Sequence, residues 1–174
     1  MIELLRQRRS IRKFKSQPVE PEKVELLCEA LLRAPTSRNF QPCQFVLVDE
    51  PQLLQQLASA KAHGTSFFST ATLAIVIAAD PQVSDVWVED SSIAAIIAQL
   101  AAEELGLKSC WAQLRLRPHE GETNASEYVR KLVGLPEGLE VPMVIAVGYP
   151  DEEKAGHPDE SLKLEKIHRN RFTG

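Results

Sequence analysis

Apolar residues recur at helical spacing from Pro21 to about Arg33. Positions i, i+3, i+4 and i+7 of this stretch are Val24, Leu27, Cys28 and Leu31, which places them on one face of a helix. A proline suits the first helical turn because its missing N–H would have no partner there. The pattern therefore predicts a helix that begins at residue 21.

The strongest helical pattern runs from Glu89 to Leu105 and stops at Gly106, a residue that tolerates the conformation in which helices end. The predicted buried stripe of this helix consists of Ile93, Ile96, Ile97, Leu100 and Ala101. The alanines around the stripe would permit close packing against another helix.

Four segments have the composition of β-strands. Thr72–Ala79 reads TLAIVIAA, a continuous apolar run, so we expect a central strand that is buried on both faces. The other predicted strands are Gln44–Val48, Ser109–Leu114 and Pro142–Gly148. Further helices are expected at about Pro51–Lys61 and Ala125–Val133, the second with Asn124 as its cap. Because strict βαβ alternation is missing, the order predicts an α+β sandwich around a small sheet.

Length and composition predict one intracellular domain over residues 1–174. The 44% apolar and 25% charged content is ordinary for a globular protein. Three cysteines without a CxxC pair favour reduced thiols in a cytosol. The start of the chain has no apolar signal segment, and the longest apolar run is too short to span a bilayer. We therefore expect a cytoplasmic protein with no membrane partner.

Several catalytic motifs are missing from the sequence. It contains no GxxxxGK[ST] loop and no GxGxxG fingerprint, so side chains or isolated helix ends must hold any phosphate. It also has no HExxH or Cys/His pattern for a metal and no GxSxG nucleophile elbow. We therefore expect neither a metal site nor a nucleophilic catalytic residue.

Six basic residues fall between Arg6 and Lys15, although the net charge of the chain is −4. Within this run RRSIR supplies Arg8, Arg9, Ser10 and Arg12, and guanidinium groups match phosphate oxygens with forked donors. In a helix residues i and i+4 would share a face, whereas in an extended segment positions 8, 10 and 12 would do so. A solvated basic helix end would fit the same spacing. A nucleic-acid surface would also be basic, but the negative net charge and 6% aromatic content disfavour it.

Two connections and the tail carry further candidate ligands. Ala34–Pro42 (APTSRNFQP) holds hydroxyl and amide side chains between two prolines. In Gly106–Gln113 (GLKSCWAQ) the chain enters a strand, where its backbone N–H groups could face a ligand. Each segment also fits a plain connection, the first as a polar turn and the second with Trp111 in the core. The basic tail Glu165–Phe172 (EKIHRNRF) either is solvated or docks on a phosphate site.

Taken in order, these segments resemble the nitroreductase-like flavoprotein family from Arg8 to Phe172. The resemblance rests on RRSIR, APTSRNFQPCQF, EELGLKSCW, the strand ending in VGYP and the closing EKIHRNRF. Each motif is short, but their order and spacing are specific together. The resemblance implies an α+β fold, with a central, mostly antiparallel sheet flanked by helices, in an intertwined homodimer.

The resemblance also implies two FMN molecules at the dimer interface, each contacted by both chains. The phosphate, ribityl chain and pyrimidine edge would be bound by Arg8, Arg9, Ser10 and Arg12. The partner chain would line the same flavin with Pro35, Thr36, Ser37, Asn39 and Gln41. The strand would run past the flavin ring and place a backbone N–H near the flavin N5; the residues there are Trp111, Ala112 and Gln113. The phosphate would be closed off by Arg169, Arg171 or both.

The implied activity is NAD(P)H oxidoreduction in a ping-pong cycle. NADH or NADPH would pass a hydride to flavin N5, and a small acceptor such as a nitroaromatic or quinone would then take the electrons. A cation such as Arg12 near N1 and O2 would stabilise the anionic reduced flavin. The alternative is a non-catalytic flavin- or nucleotide-binding protein of the same fold.

Two departures from the family pattern bear on that alternative. Cys43 stands where many relatives have Trp after the QP pair. The run Ala112-Gln113-Leu114-Arg115 stands where many relatives have glycines, so it could narrow the space over the flavin.

Overall fold

A four-stranded antiparallel sheet forms the centre of the chain in the computed structural model, which describes residues 1–121 and 123–172. The strands are β1 (Cys43–Val48), β2 (Leu73–Ala79), β3 (Lys108–Gln113) and β4 (Glu140–Gly148). They lie in the order β1-β2-β4-β3, so β1 and β3 are the two edges of the sheet. Every neighbouring pair is antiparallel, which confirms the expected α+β arrangement.

Helices cover both faces of the sheet. Within the described residues the α-helices are α1 (Ile2–Gln7), α2 (Pro21–Leu32), α3 (Pro51–Ala58), α4 (Trp87–Glu104) and α5 (Ala125–Leu132). Short 3₁₀ turns occupy Ser37–Asn39, Ser66–Ser69, Asp159–Ser161 and Leu164–Lys166. Helices α2 and α4 pack on one face, and α3 and α5 on the other. No helix of the described residues is long and apolar enough to cross a membrane.

Strand β2 is buried along its whole length, as its continuous apolar run predicts. Its side chains alternate between two cores because successive residues of a strand point to opposite faces. Leu73 and Ile75 face α2 and α4, whereas Ala74 and Val76 face α3 and α5. The sheet therefore separates two apolar layers and holds its edges in fixed positions.

Several elements differ from the sequence-based expectation, most of them by one or two residues at a boundary. Helix α1 precedes the helix predicted to be the first, and α3 ends at Ala58 instead of about Lys61. Strand β4 begins at Glu140, two residues before the expected start at Pro142. The register between β2 and β4 shifts at this point, and a proline is tolerated at such an irregularity because it has no N–H for the ladder.

Helix α4 packs on the sheet through a different face from the predicted one. The residues in contact are small, and all are at most 4% exposed: Ala94, Ala95, Ala98 and Ala102. The predicted stripe was wrong, because Ile93 and Ile96 are 37% and 38% exposed and the others, Ile97, Leu100 and Ala101, are only half-buried. Methyl side chains let the helix approach the sheet closely, and close-packed interiors favour that fit. The single chain therefore leaves an isoleucine face uncovered.

Candidate functional site

The basic segment after α1 is extended along the free edge of β3. Ser10 forms a parallel bridge with Ser109, and the Ile11 N–H donates to the Ser109 carbonyl at 3.1 Å. The side chains of Ile11 and Phe14 are 2% and 5% exposed and anchor the segment in the core. The helical alternative for this segment was therefore wrong, and the extended alternative is confirmed.

Three of the predicted ligands converge on Cys110 of β3. Burial raises the pKa of the Cys110 thiol, whereas the charge of Arg12, hydrogen bonding by Ser10 and the charges of Lys154 and Arg8 act to lower it. Neither Arg8 nor Arg12 forms an ion pair within residues 1–121 and 123–172. Two uncompensated guanidinium groups beside a hydroxyl have the chemistry of an anion site.

Hydrogen bonds from the chain after β4 hold the extended arginine segment in place. Glu152 Oε1 accepts a hydrogen bond from the Arg12 N–H at 2.5 Å, and Lys154 Nζ donates to Glu152 Oε1 at 2.9 Å and to the Ser10 carbonyl at 3.1 Å. The pKa of Glu152 is lowered, first by the Arg12 N–H and then by Lys154. Sequence reasoning missed Glu152 and Lys154, although a charged run directly after a buried strand was a usable signal.

Arg9 lies on the other side of the extended segment from Arg8 and Arg12. Its guanidinium donates to the Ala155 carbonyl. The next residue, Gly156, lies so close to α1 that a Cβ atom there would come within 2.0 Å of the Arg6 carbonyl oxygen. Arg9 therefore fixes the start of the tail in the single chain.

Strand β3 exposes Trp111, at 46%, so the alternative of a plain connection with this tryptophan in the core was wrong. Ala112 and Leu114 point the opposite way and are 3% and 0% exposed. The bulk that they add where many relatives have glycines is therefore directed into the core. Only Gln113 and Arg115 of that run can reach the surface beside Trp111.

The backbone of β3 offers N–H groups at its free edge. The Ser109 carbonyl accepts from Ile11 on the outer side, and alternate residues of an antiparallel strand direct their N–H and C=O groups to the same side. The backbone N–H and C=O groups of Trp111 and Gln113 therefore also point outward, toward the free edge of the sheet. The Gln113 carbonyl accepts from Lys61 Nζ on that side at 2.7 Å.

The connection from α2 to β1 is a strained polar loop. The Thr36 hydroxyl accepts from the Gln41 N–H at 3.0 Å, and Gln41 Nε2 donates to Asn39 Oδ1 at 3.2 Å. The φ angles of Arg38, Asn39 and Gln41 are 50°, 57° and 51°. Left-handed backbone in non-glycine residues is costly and clusters at ligand sites. Pro35 is exposed at the start of this loop, and Ser37 is half-buried.

A buried carboxyl group holds this loop in place. Asp90, in the first turn of α4, is 2% exposed. It accepts hydrogen bonds from the Ser37 N–H at 2.9 Å and from the Ser84 hydroxyl at 3.1 Å. Sequence reasoning missed Asp90 because an acidic residue is common in the first turn of any helix.

The short side chain of Cys43 leaves space beside the loop. Its Sγ lies 3.7 Å from Ser91 Oγ, and burial raises the pKa of its thiol. A cavity of about 550 Å³ opens here between α2, β1 and α4, with Thr36 and Gln41 in its wall.

The loop and the arginine segment lie at opposite corners of the sheet. The loop leads into Cys43 at the start of edge strand β1, whereas Ser10 pairs with Ser109 near the start of β3, the other edge. The Cys43 end of the sheet is the end at which β3 finishes. Three strand spacings and the length of a strand separate the corners by about 20 Å. One chain therefore does not bring both groups to one small ligand.

The tail beyond Ala155 runs to exposed arginines. Arg169 and Arg171 are both exposed, and no hydrogen bond of the described residues joins either of them to Arg8 or Arg12. Apolar side chains that are 56–79% exposed lie along the same segment, namely Leu162, Leu164, Ile167 and Phe172. The tail is thus another apolar surface that the single chain leaves uncovered.

Comparison with known sequences gives matches over nearly the whole chain. The family model described as Nitroreductase family matches residues 5–66 and 59–149. A protein of Archaeoglobus fulgidus with the provisional name NADH dehydrogenase/NAD(P)H nitroreductase is 34% identical over 176 residues, which span 98% of each chain. The NADPH-flavin oxidoreductase of Vibrio harveyi is 28% identical over 186 residues, which span 98% of this chain and 74% of that protein.

Solved structures have the same arrangement of helices around the sheet. The FMN-dependent nitroreductase of Clostridium difficile R20291 superposes with a TM-score of 0.97, is 43% identical and matches 99% of this chain and 100% of its own. The NADPH:FMN oxidoreductase of Vibrio harveyi, complexed with NAD+, gives a TM-score of 0.82 at 25% identity, over 99% of this chain and 78% of its own.

Proposed function

The chain belongs to the nitroreductase family of oxidoreductases, and we propose that it is an FMN-dependent NAD(P)H oxidoreductase that works as a homodimer. The observation that carries this proposal is the placement of the two groups of ligands at opposite corners of one sheet. A two-fold dimer brings one corner of each chain against the other corner of its partner, which makes two equal sites. The uncovered isoleucine face of α4 and the apolar tail supply surfaces for such a dimer.

The residues at each corner fit the chemistry of FMN. Arg8, Ser10 and Arg12 offer guanidinium donors and a hydroxyl to the phosphate, the ribityl chain and the pyrimidine edge. Arg9 would stay with the tail, and the tail of either chain could bring Arg169 or Arg171 to the phosphate. The second chain would supply the amide and hydroxyl groups of its loop, from Pro35, Thr36, Ser37, Asn39 and Gln41. Residues 1–174 would together form one FMN-binding domain of a cytoplasmic enzyme.

Bound FMN supplies hydride transfer through its N5 atom. Around bound FMN the chain would supply position and charge: the outward N–H groups of Trp111 and Gln113 would donate from the edge of β3, and the exposed Trp111 indole would exclude water beside that edge. Ala112 supports the strand from within the core. The charge of Arg12 would favour negative charge on the pyrimidine edge of the flavin.

A ping-pong order would result if both substrates use the same surface of the flavin. NADH or NADPH would bind, deliver its hydride and leave, and a small acceptor such as a nitroaromatic or quinone would then occupy the same space. No side chain has to form a covalent bond with either substrate. Burial of Ala112 and Leu114 weakens the non-catalytic alternative, because these two residues of the Ala112–Arg115 run point into the core and leave only Gln113 and Arg115 at the surface.

The test is the visible absorption spectrum of the purified protein under nitrogen. We expect flavin bands that bleach when NADH or NADPH is added and return when a quinone or nitroaromatic follows. Flavin bands that persist with both nicotinamides would favour the non-catalytic alternative. A protein that stays colourless after incubation with FMN and gel filtration would contradict the proposal.

A further inference from the structure

Two cations, Lys61 and Arg117, converge on Gln113 at the end of β3, and a third, Arg115, follows two residues after Gln113. Lys61 Nζ donates to the Gln113 carbonyl at 2.7 Å, and Arg117 donates to Gln113 Oε1 at 2.9 Å from Nη2. The guanidinium carbon of Arg115 lies 5.7 Å from the centre of the Trp87 ring. We call Lys61, Arg115 and Arg117 the cationic turn.

The described residues supply no ion-pair partner to the cationic turn. None of its three members forms an ion pair with a carboxylate in the part of the chain that the structure describes. Burial lowers the pKa of Lys61, and the positive charge of Arg117 lowers it further. Cations that repel each other without an acidic partner create a positive potential that an anion would relieve.

The backbone fixes the two arginines in place. The Arg117 N–H donates to the Leu114 carbonyl at 3.0 Å, and the Ala125 N–H donates to the Arg117 carbonyl at 2.9 Å. Between the arginines, Leu116 has a φ of 59° and is 78% exposed. A strained turn with an exposed leucine at its tip is costly for stability alone, and such strain accumulates at ligand sites. The arginines are therefore preorganised for binding.

We propose that the cationic turn binds an anionic group, a carboxylate or phosphate, on the molecule that exchanges electrons with the flavin. This proposal rests on the proposed function, because Gln113 places the turn next to the flavin only if FMN lies along β3. The anionic group has two possible sources, the carboxylate of an acceptor and the phosphate of the nicotinamide donor. In the first case the enzyme prefers an anionic acceptor over a neutral one of the same size, and in the second case it prefers NADPH over NADH.

The experiment uses FMN-loaded protein and two acceptors that differ in one charge, 4-nitrobenzoate and 4-nitrobenzamide. The measured quantity is the ratio of kcat/KM for the anion to kcat/KM for the amide, with NADH as donor. We expect Arg115→Gln and Arg117→Gln each to lower this ratio about tenfold, which corresponds to about 1.4 kcal/mol. Added salt should lower the wild-type ratio as well, because it screens exposed charges.

The control variant is Lys131→Gln on α5, which removes the same unit of charge from an exposed surface position. It should leave the ratio unchanged. A second arm compares NADPH with NADH, which differ in one phosphate, as reductants of the bound flavin. The donor ratio is kcat/KM for NADPH divided by kcat/KM for NADH. If the arginine variants lower this ratio and leave the acceptor ratio unchanged, the proposal is supported with the donor phosphate as the anion.

Two results would overturn the proposal, and they differ from each other. If both arginine variants bind and reduce FMN but keep both ratios of the wild type, the cationic turn does not bind the substrate and the proposed function stands. If the wild-type protein neither binds FMN nor reduces it, the proposed function fails and this inference fails with it.

Discussion

At the scale of single residues, the candidate phosphate corner depends on backbone conformation. Arg8, Ser10 and Arg12 share one side because the segment is extended, and Ile11 keeps it so by packing in the core. The sequence predicted these ligands and both possible conformations. The extended conformation is selected by pairing with Ser109. Ser109 is distant along the chain, so the local spacing of the arginines could not predict this contact.

Arg12→Ala tests this corner. We expect FMN affinity to fall about tenfold or more, because a hydrogen bond to a charged group is worth about 1.5–3 kcal/mol. The dissociation constant is measured by titrating the apoprotein with FMN and following the quenching of flavin fluorescence. Lys13→Ala, at the next exposed position, is the control. Unchanged affinity together with an unchanged rate of flavin reduction by NADH would remove Arg12 from the site.

Asp90→Ala tests what holds the strained loop. The variant leaves the Ser37 N–H without its acceptor, so the free energy of unfolding should fall by about 1–3 kcal/mol. Urea denaturation at fixed protein concentration measures the change. Asp90→Asn should lose less stability than Asp90→Ala, because the asparagine amide oxygen can still accept the hydrogen bond from the Ser37 N–H. A stability of Asp90→Ala within about 0.5 kcal/mol of the wild type would show that the loop does not depend on this carboxyl group.

At the scale of elements, α4 shows the limit of periodicity. Isoleucines and alanines both recur at helical spacing, so the helix itself was predictable and its extent is nearly as expected. Hydrophobicity favoured the isoleucine stripe as the buried one. The structure packs the alanines against the sheet instead, because only small side chains fit the short distance between the helix and the sheet. The isoleucines are then available for a second chain.

Ala98→Leu tests the contact between α4 and the sheet. Ala98 is fully buried, so a larger side chain would force neighbouring residues apart at a cost of about 1–3 kcal/mol in stability. Thermal and urea unfolding measure this loss. The matched change Ser92→Leu, at an exposed position of the same helix, should not reproduce it. Equal stability of the two variants would mean that the alanine face is not closely packed.

Ile96→Glu tests the uncovered face of the same helix. A charge at the centre of an apolar interface would have to be desolvated without a partner, so we expect monomers and loss of FMN. Light scattering after size exclusion gives the oligomeric state. Lys131→Glu, on the opposite side of the sheet, should remain a dimer with bound FMN. A dimeric Ile96→Glu would place the interface elsewhere.

At the scale of the whole molecule, the sheet keeps the two groups of candidate ligands apart. The family resemblance implied a flavin shared between chains, and the separation of about 20 Å between the corners gives that implication a physical reason. Lys61 and Asp90 were not predictable, because each acts through a contact with a residue at least 50 positions away along the chain. Motif order identified the segments of the site, whereas only tertiary structure showed what holds them.

The most direct test of the shared site is complementation between two disabled chains. One chain carries Arg8→Ala and Arg12→Ala, the other carries Asn39→Ala and Gln41→Ala, and the two are coexpressed. Each variant alone should form dimers that bind little FMN. In a mixed dimer one site combines both lesions, whereas the other combines an intact arginine corner with an intact loop.

Random pairing makes about half of the dimers mixed, so the account predicts that FMN content and NAD(P)H oxidation recover to about one quarter of the wild-type values. A mixture that forms mixed dimers but stays as empty of FMN as its two parents would show that both corners serve the same chain, and it would contradict the shared site.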